Sequence, residues 1–181
     1  SGAVERLSVD SAHERPTCWS ADGTRLYFSR QAHGAWQIWS MTVDGSDRRL
    51  VTDRGLEALA EVEGGRALVV LRPQEPSLRR LDLVTRDETE LVGPDVMSRW
   101  LDEAAVDGGI FAVDRQAEGA ALVYFDFVTA TVEKLQPLGR VAADPGLSIT
   151  PDRAFALVDR FERLEHDLVL VDGFRVAAPR G

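Results

Sequence analysis

The amino-acid sequence predicts an all-β fold, and three observations support this. A short pattern recurs roughly every 43 residues along the 181-residue chain. Each copy places a tight turn, which contains glycine in the first three copies, before two strand-like apolar runs, and helical periodicity is weak throughout. A repeat of this length, built from strands and tight turns, predicts a β-propeller of about four four-stranded antiparallel blades in a small or incomplete ring.

The first repeat, over residues 15–52, is the clearest copy. Residues 19–23 read Trp-Ser-Ala-Asp-Gly and precede a strand predicted at residues 24–29. A second strand is predicted at residues 37–41, and the turn after it contains an Asp-Gly pair, which supplies the positive φ that a hairpin needs. Residues 48–52 then form the predicted outer strand.

Three weaker repeats follow the same order of turn and strands. Gly64-Gly65 and Gly108-Gly109 take the place of the first Asp-Gly turn, and apolar runs follow each pair. The run at residues 67–71 is continuously apolar, which suits a strand covered on both faces. The four blades are therefore predicted at about residues 15–52, 57–92, 99–136 and 146–176.

Each blade also needs an innermost strand before its glycine turn. One alternative is open at residues 56–63, which could form a helix, although the segment has no clear cap and ends at two glycines. The predicted inner strands are residues 17–19, 59–62, 100–104 and 147–149.

The two ends of the chain predict how the ring closes. Residues 4–8 match the outer strand of a blade, yet no strands of that blade precede them. Residues 174–177 stand where the last outer strand is due, but they are short and soon meet Pro179. We therefore expect residues 4–8 to complete the fourth blade, and the chain to be the terminal portion of a larger protein.

The first repeat resembles the TolB-type propeller repeat of bacterial proteins. The resemblance rests on residues 19–28, on the Gln-Ile-Trp strand at residues 37–39, and on the Val-Asp-Gly-Ser turn at residues 43–46. Ala21 replaces the proline of that pattern, and Gln37 replaces its aspartate. The resemblance implies a β-propeller fold.

The end of the fourth repeat carries a second resemblance. Residues 167–175 are similar to the last blade of CadC-like regulators, in which a winged-helix DNA-binding domain precedes a TolB-like propeller. This resemblance implies a periplasmic propeller if a membrane anchor lies upstream, and a cytoplasmic one otherwise. The single cysteine, Cys18, cannot form an internal disulfide and leaves the compartment open.

Composition and charge limit the classes of function that this segment can have. With 44% hydrophobic and 28% charged residues, the chain can bury a core. Its net charge of −9 opposes direct binding to a nucleic-acid backbone. No apolar run reaches the roughly 20 residues that span a bilayer, so we expect no membrane insertion by this segment.

No catalytic, metal or cofactor site is predicted. Cys18 is expected to be a small buried side chain, and the three histidines, His13, His33 and His166, lack the spacing of metal ligands. The sequence around Ser148 suggests a nucleophile elbow, but Thr150 stands where the elbow requires glycine.

One partner-binding site is predicted at the hairpin between the second and third strands. Most tryptophans are expected to pack between blades, whereas Trp36 follows a flexible hairpin tip and could anchor a partner. Arg30, His33 and Trp36 would then form a polar-aromatic rim. The alternative is a hairpin tip folded over its own sheet.

The sequence therefore predicts a non-catalytic binding or sensor module of a larger bacterial signalling or transcriptional regulatory protein, with a protein or small ligand as its partner. Two alternatives remain open. The chain could be an accessory propeller of a hydrolase, or a self-assembling module whose open blade edges pair with another copy.

Overall fold

A computed structural model describes residues 6–7, 13–32, 34–142, 145–162 and 165–171. Almost all regular structure in these residues is β-strand, arranged in four antiparallel sheets. The chain divides into two compact units, one ending at Val92 and the other beginning at Gly93, and each contains two sheets.

The first sheet is a four-stranded meander in the first unit. Its strands pair in chain order, and the two central strands are joined by a hairpin whose last pair is Ala32 with Ala35. Strand β1 carries an irregularity between Pro16 and Cys18. The strands are β1 Glu14–Trp19, β2 Arg25–Ala32, β3 Ala35–Thr42 and β4 Arg49–Thr52.

The second sheet repeats this arrangement. A short 3₁₀ turn, Glu63–Gly65, joins its first two strands, with Gly64 at a φ of 62°. The helix alternative for residues 56–63 is wrong, because residues 57–62 pair with the next strand along the chain. The strands are β5 Glu57–Val62, β6 Ala67–Arg72, β7 Ser77–Asp82 and β8 Glu88–Val92.

An apolar core lies between the first and second sheets. Tyr27 and Ile38 of the first sheet pack against side chains of the second, including Leu68 and Leu81. Residues 67–70 are fully buried, as the continuous apolar run predicts. Burial on both faces of β6 therefore explains why its sequence does not alternate.

The second unit opens with a short helix, α1 Pro94–Met97, and a third sheet follows it. Two register shifts in the pairing of β11 with β12 mark bulges in the outer strand. The strands are β9 Trp100–Val106, β10 Gly109–Gln116, β11 Gly119–Asp126 and β12 Thr131–Gly139.

The fourth sheet has three strands in the described part of the chain, β13 Leu147–Ile149, β14 Ala156–Glu162 and β15 Glu165–Val171. Ala156, Val158 and Val171 pack with the core of the third sheet around Phe111 and Leu122. The outer strand predicted at residues 174–177 lies outside the described residues.

The predicted completing strand at residues 4–8 is described only at Arg6 and Leu7, which have no regular secondary structure. The carbonyl oxygen of Leu7 lies 3.3 Å from the position that a Cβ on Gly45 would occupy. The N-terminal segment therefore passes the β3–β4 turn at Leu7. Its pairing with the fourth sheet stays a prediction.

Aspartates organise the turns that close equivalent hairpins. Asp82 accepts hydrogen bonds from the backbone N–H groups of Val84 and Thr85, and Asp126 accepts from those of Val128 and Thr129. Such a side chain holds the turn by capping the backbone two and three residues ahead. The second and third sheets thus use the same turn at equivalent hairpins. The four antiparallel sheets, each paired in chain order, confirm the predicted β-propeller class.

Candidate partner-binding site

The candidate site lies at the hairpin between β2 and β3 in the first unit. Gly34 occupies the tip with a φ of 80°, a conformation that glycine adopts without strain. His33, the central residue of the predicted rim, lies outside the described residues. Arg30 and Trp36 flank the tip on its two strands.

Trp36 is half-buried and held by contacts on several sides. The guanidinium carbon of Arg15 lies 5.0 Å from the centroid of the indole ring. The imidazole of His13 meets the indole edge-on, with ring centroids 6.0 Å apart. The Trp36 carbonyl accepts a hydrogen bond from the Gly55 N–H at 3.1 Å. The ring therefore lies against two side chains of the neighbouring segment instead of standing alone at a loop tip.

Strand pairing explains why His13 and Arg15 reach Trp36. The Gln31 N–H donates to the carbonyl of His13 at 3.0 Å, and Arg15 pairs with Ser29. Gln31 in turn pairs with Trp36. We call His13, Arg15 and Trp36 the Trp36 cluster.

Arg30 lies on the opposite face of the same sheet. It pairs with Gln37, the neighbour of Trp36, and successive side chains of a strand point to opposite faces. Its guanidinium carbon lies 5.7 Å from the ring centroid of Trp39, and Nη1 lies 3.5 Å from Oε1 of Glu14. The structure thus separates Arg30 from Trp36, and the role of the predicted rim in binding a partner stays a prediction.

The two faces differ in charge balance. On the Arg30 face, Glu14 also accepts a hydrogen bond from Nη2 of Arg48 at 2.6 Å, so one carboxylate balances two arginines. On the other face, no described carboxylate pairs with Arg15, whose side chain is exposed. The Trp36 cluster therefore presents an unpaired cation beside an aromatic ring, which suits an acidic or aromatic group of a partner.

The other tryptophans differ in their surroundings. Trp100 is only 7% exposed, as expected for a packed side chain. Trp19 is 58% exposed, which contradicts its expected place in the packing between blades. It pairs with Leu26, the neighbour of Tyr27, and therefore lies on the face of the first sheet that points away from the second.

Cys18 is half-buried beside Tyr27 and Glu61. Burial raises the pKa of its thiol to about 11, because the thiolate would lose its hydration there. Glu61 accepts hydrogen bonds from the Tyr27 hydroxyl at 2.6 Å and from the Ala21 N–H at 2.5 Å. A thiol with a raised pKa is a poor nucleophile at neutral pH.

Ser148 lies within strand β13 and pairs with Leu157, rather than at a strand-to-helix turn. In the described part of the chain, no three His, Cys, Asp or Glu side chains are grouped so that they could hold a metal ion. None of the helices among these residues is long and apolar enough to cross a membrane.

Comparison with known proteins gives structural neighbours only. No family model matches the sequence, and no curated protein matches it. TolB from Acinetobacter baumannii is similar over 93% of this chain, with a TM-score of 0.68 and 17% identity, and the match covers 43% of the TolB chain.

The structures of a hydrolase and a peptidase are also similar. A puromycin hydrolase complexed with PGG matches 97% of this chain with a TM-score of 0.62 and 20% identity, over 30% of its own length. The acylaminoacyl peptidase of Pyrococcus horikoshii matches 91% with a TM-score of 0.59 and 13% identity, over 31% of its length. This chain spans less than half of each of these three, and the likeness shows a TolB-like propeller fold alone.

Proposed function

We propose that this chain is a non-catalytic propeller module that binds a protein partner through the Trp36 cluster. The observation that carries the proposal is the position of Trp36, which is half-buried and in contact with Arg15 and His13. Tryptophan and arginine are the residue types that dominate binding energy at protein interfaces. A fixed ring costs little conformational entropy when a partner covers it.

The proposed wider context is a larger bacterial signalling or transcriptional regulatory protein in which this propeller is the C-terminal part. The similarity of residues 167–175 to CadC-like regulators supports this context. The net charge of −9 opposes DNA binding by this segment, so in such a protein another domain would bind the DNA. A full-length sequence with a winged-helix domain before residue 1 is the expected observation, and a catalytic domain there would contradict it.

Photo-crosslinking in the full-length protein tests the proposed surface. Benzoylphenylalanine in place of the exposed Gln31 stands on the same face as Trp36, and the same probe in place of Val84, in an exposed turn of the second sheet, is the control. We expect one saturable adduct from the Gln31 position that disappears in Trp36→Ala. The proposal fails if no adduct forms, if the Val84 position gives the same adduct, or if the adduct survives Trp36→Ala.

An accessory role beside a hydrolase is a second candidate. The similarity to a puromycin hydrolase and to an acylaminoacyl peptidase favours it. In that case, the full-length protein would hydrolyse an aminoacyl-linked chromogenic substrate, and Trp36→Ala would alter the rate without abolishing it. A full-length protein without such activity would leave the binding module as the better account.

Self-assembly is a third candidate, favoured by the fourth sheet. Leu157 and Leu170 pair on one face of it and are 39% and 62% exposed. The opposite face, with Ala156 and Val158, is buried in the core of the second unit. Sedimentation equilibrium at high protein concentration should show a dimer that Leu170→Asp dissociates, and a strict monomer would contradict this candidate.

A further inference from the structure

A depression of about 320 Å³ lies at one end of the third sheet, within the second unit. The sheet end is formed where β9 and β11 begin and where β10 and β12 finish. Its volume is at the lower end of the range for small-ligand sites, roughly 300–1,000 Å³. The lining residues are Leu101, Arg115, Gly119, Arg140, Val141 and Ala142.

A close approach of two backbones lies at the edge of this space. A Cβ on Gly119 would collide with the carbonyl oxygen of Gly139, so the two backbones approach as only glycine allows. The register shifts between β11 and β12 bring the end of the outer strand to this position. Leu101 and Val141 supply apolar surface beside this backbone contact.

The arginines in the depression are not neutralised by described carboxylates. Arg115 and Arg140 are exposed, and no acidic side chain in the described part of the chain forms an ion pair with either. The nearby Asp114 is buried and already pairs with Arg99, whose Nε lies 3.4 Å from Oδ1. Glu118, at the tip of the adjacent hairpin, forms no ion pair with a described arginine.

The chain as a whole has a net charge of −9. Acidic residues outnumber basic ones, 30 to 21, so a site lined by two arginines and no acidic residue differs from the average surface of this chain. Two arginines beside one concave, partly apolar surface create a local positive potential. A ligand with a complementary anionic group would balance it.

We propose that this depression binds a small ligand that combines a carboxylate with an apolar group. Arg115 and Arg140 donate hydrogen bonds to the carboxylate, for which the planar guanidinium has matched geometry. Leu101, Val141 and Ala142 cover the apolar group. The site belongs to the second unit and does not include the Trp36 cluster. The experiment that tests it is therefore independent of the test of the proposed function.

A pair of small molecules, one charged and one uncharged, tests the proposed site. N-acetyl-leucine carries both parts of the proposed ligand, and N-acetyl-leucinamide differs from it by lacking the carboxylate. Binding is followed by ¹H–¹⁵N NMR on the whole chain. We expect N-acetyl-leucine to shift the amide signals of Gly119 and Val141 and to bind at least about tenfold more tightly than the amide, because charge-assisted hydrogen bonds are lost with the amide.

Variants give the second arm of the test. Arg115→Gln combined with Arg140→Gln should weaken N-acetyl-leucine binding about tenfold or more, whereas Arg86→Gln, an exposed arginine of the first unit, should leave it unchanged. Equal binding of the acid and the amide, or unaltered affinity in the double variant, would overturn the proposal. Inorganic phosphate binding as tightly as N-acetyl-leucine would also overturn it, since the apolar lining would then contribute nothing.

Discussion

Tyr27 donates a hydrogen bond from its phenol oxygen to Oε1 of Glu61 across 2.6 Å, and this bond joins β2 of the first sheet to β5 of the second. The other oxygen of Glu61 accepts from the Ala21 N–H at 2.5 Å. One half-buried carboxylate therefore links two sheets of the first unit by two hydrogen bonds. Apolar packing between the sheets is non-directional, whereas hydrogen bonds depend on distance and angle. These two bonds therefore favour one position of the first sheet relative to the second.

Tyr27→Phe should lower the free energy of unfolding by about 2 kcal/mol, because Glu61 loses a donor while remaining partly buried. Urea denaturation followed by circular dichroism measures the change. Tyr124→Phe is the matched control, since no hydrogen bond from the Tyr124 hydroxyl is present among the described residues. Equal losses in the two variants would show that the Tyr27–Glu61 bond contributes nothing specific.

Cys18 should react slowly with iodoacetamide in the native protein. Burial raises its pKa to about 11 from an ordinary value of 9.0, so the thiolate fraction at pH 8 falls about 100-fold. Mass spectrometry of the native and urea-unfolded chain should show at least this difference in alkylation rate. Comparable rates in the two states would contradict the burial of the thiol.

The same pKa shift gives a pH dependence. The fold favours the protonated thiol, so the contribution of Cys18 to stability is complete below its unfolded pKa and is lost as the pH rises through about 11. Burial and the hydrogen bond to Glu61 also raise the pKa of Tyr27, and its contribution falls in the same direction. Cys18→Ala should reduce the decline in stability that the wild type shows above pH 9.

Two turn aspartates should titrate at low pH. Hydrogen bonds from Ser20 and, to a lesser extent, from Thr24 lower the pKa of Asp22 to about 2. Those from Thr42 and Ser46 do the same for Asp44. Their contributions to stability are present above the unfolded pKa of about 3.9 and are lost as the pH falls through about 2. Carboxyl ¹³C NMR measures both midpoints.

The Ser20→Ala variant should change the pKa of only one of these two aspartates. It should raise the pKa of Asp22 toward its ordinary value and leave that of Asp44 near 2, because the turns are distinct. Asp44 thus serves as the control within the same sample. A midpoint for Asp22 that does not move would exclude the Ser20 hydroxyl as the main cause.

Among the carboxylates of the second sheet, we expect substitution of Glu88 to lower the free energy of unfolding most. It is only 9% exposed at its side chain, and Arg54, Arg72 and Arg79 all lie within 3.2 Å of its oxygens. Burial alone would raise its pKa, but the hydrogen bonds from Arg72 and Arg54 outweigh burial and lower it.

Glu88→Gln leaves three arginines without this carboxylate and should cost about 2 kcal/mol, somewhat less than a fully buried pair because the arginines are partly solvated. Glu90→Gln is the control. Glu90 is 49% exposed and pairs with Arg79 alone at 3.4 Å, so its loss should cost well under 1 kcal/mol. Equal urea midpoints for the two variants would contradict the role of Glu88.

The strand order was accessible from the sequence because turns and apolar runs are local signals. The Asp-Gly turn before β2 and the apolar run of β6 each indicate their element without long-range information. The short inner strand at residues 57–62 was harder, since its composition also suits a helix. Pairing with β6 decides it, and pairing is a tertiary property.

The candidate site was only partly accessible for the same reason. Trp36 stands out in the sequence, but its contacts His13 and Arg15 lie more than 20 residues away and reach it only through the pairing of β1 with β2. The face occupied by Arg30 depends on the two-residue loop between Ala32 and Ala35, which the sequence around His33 does not specify. Register, rather than residue type, determined which side chains meet.

The central claim is that Trp36 anchors a partner. Isothermal titration calorimetry tests it most directly, with the partner first identified by the photo-crosslinking experiment and then purified and titrated into each variant. Trp36→Ala should weaken binding at least about 30-fold, because interface tryptophans of this kind contribute roughly 2 kcal/mol or more. Trp19→Ala removes an equally large, exposed side chain from the opposite face of the sheet and should leave the affinity within about twofold. Unchanged affinity in Trp36→Ala, or an equal loss in both variants, would contradict the account.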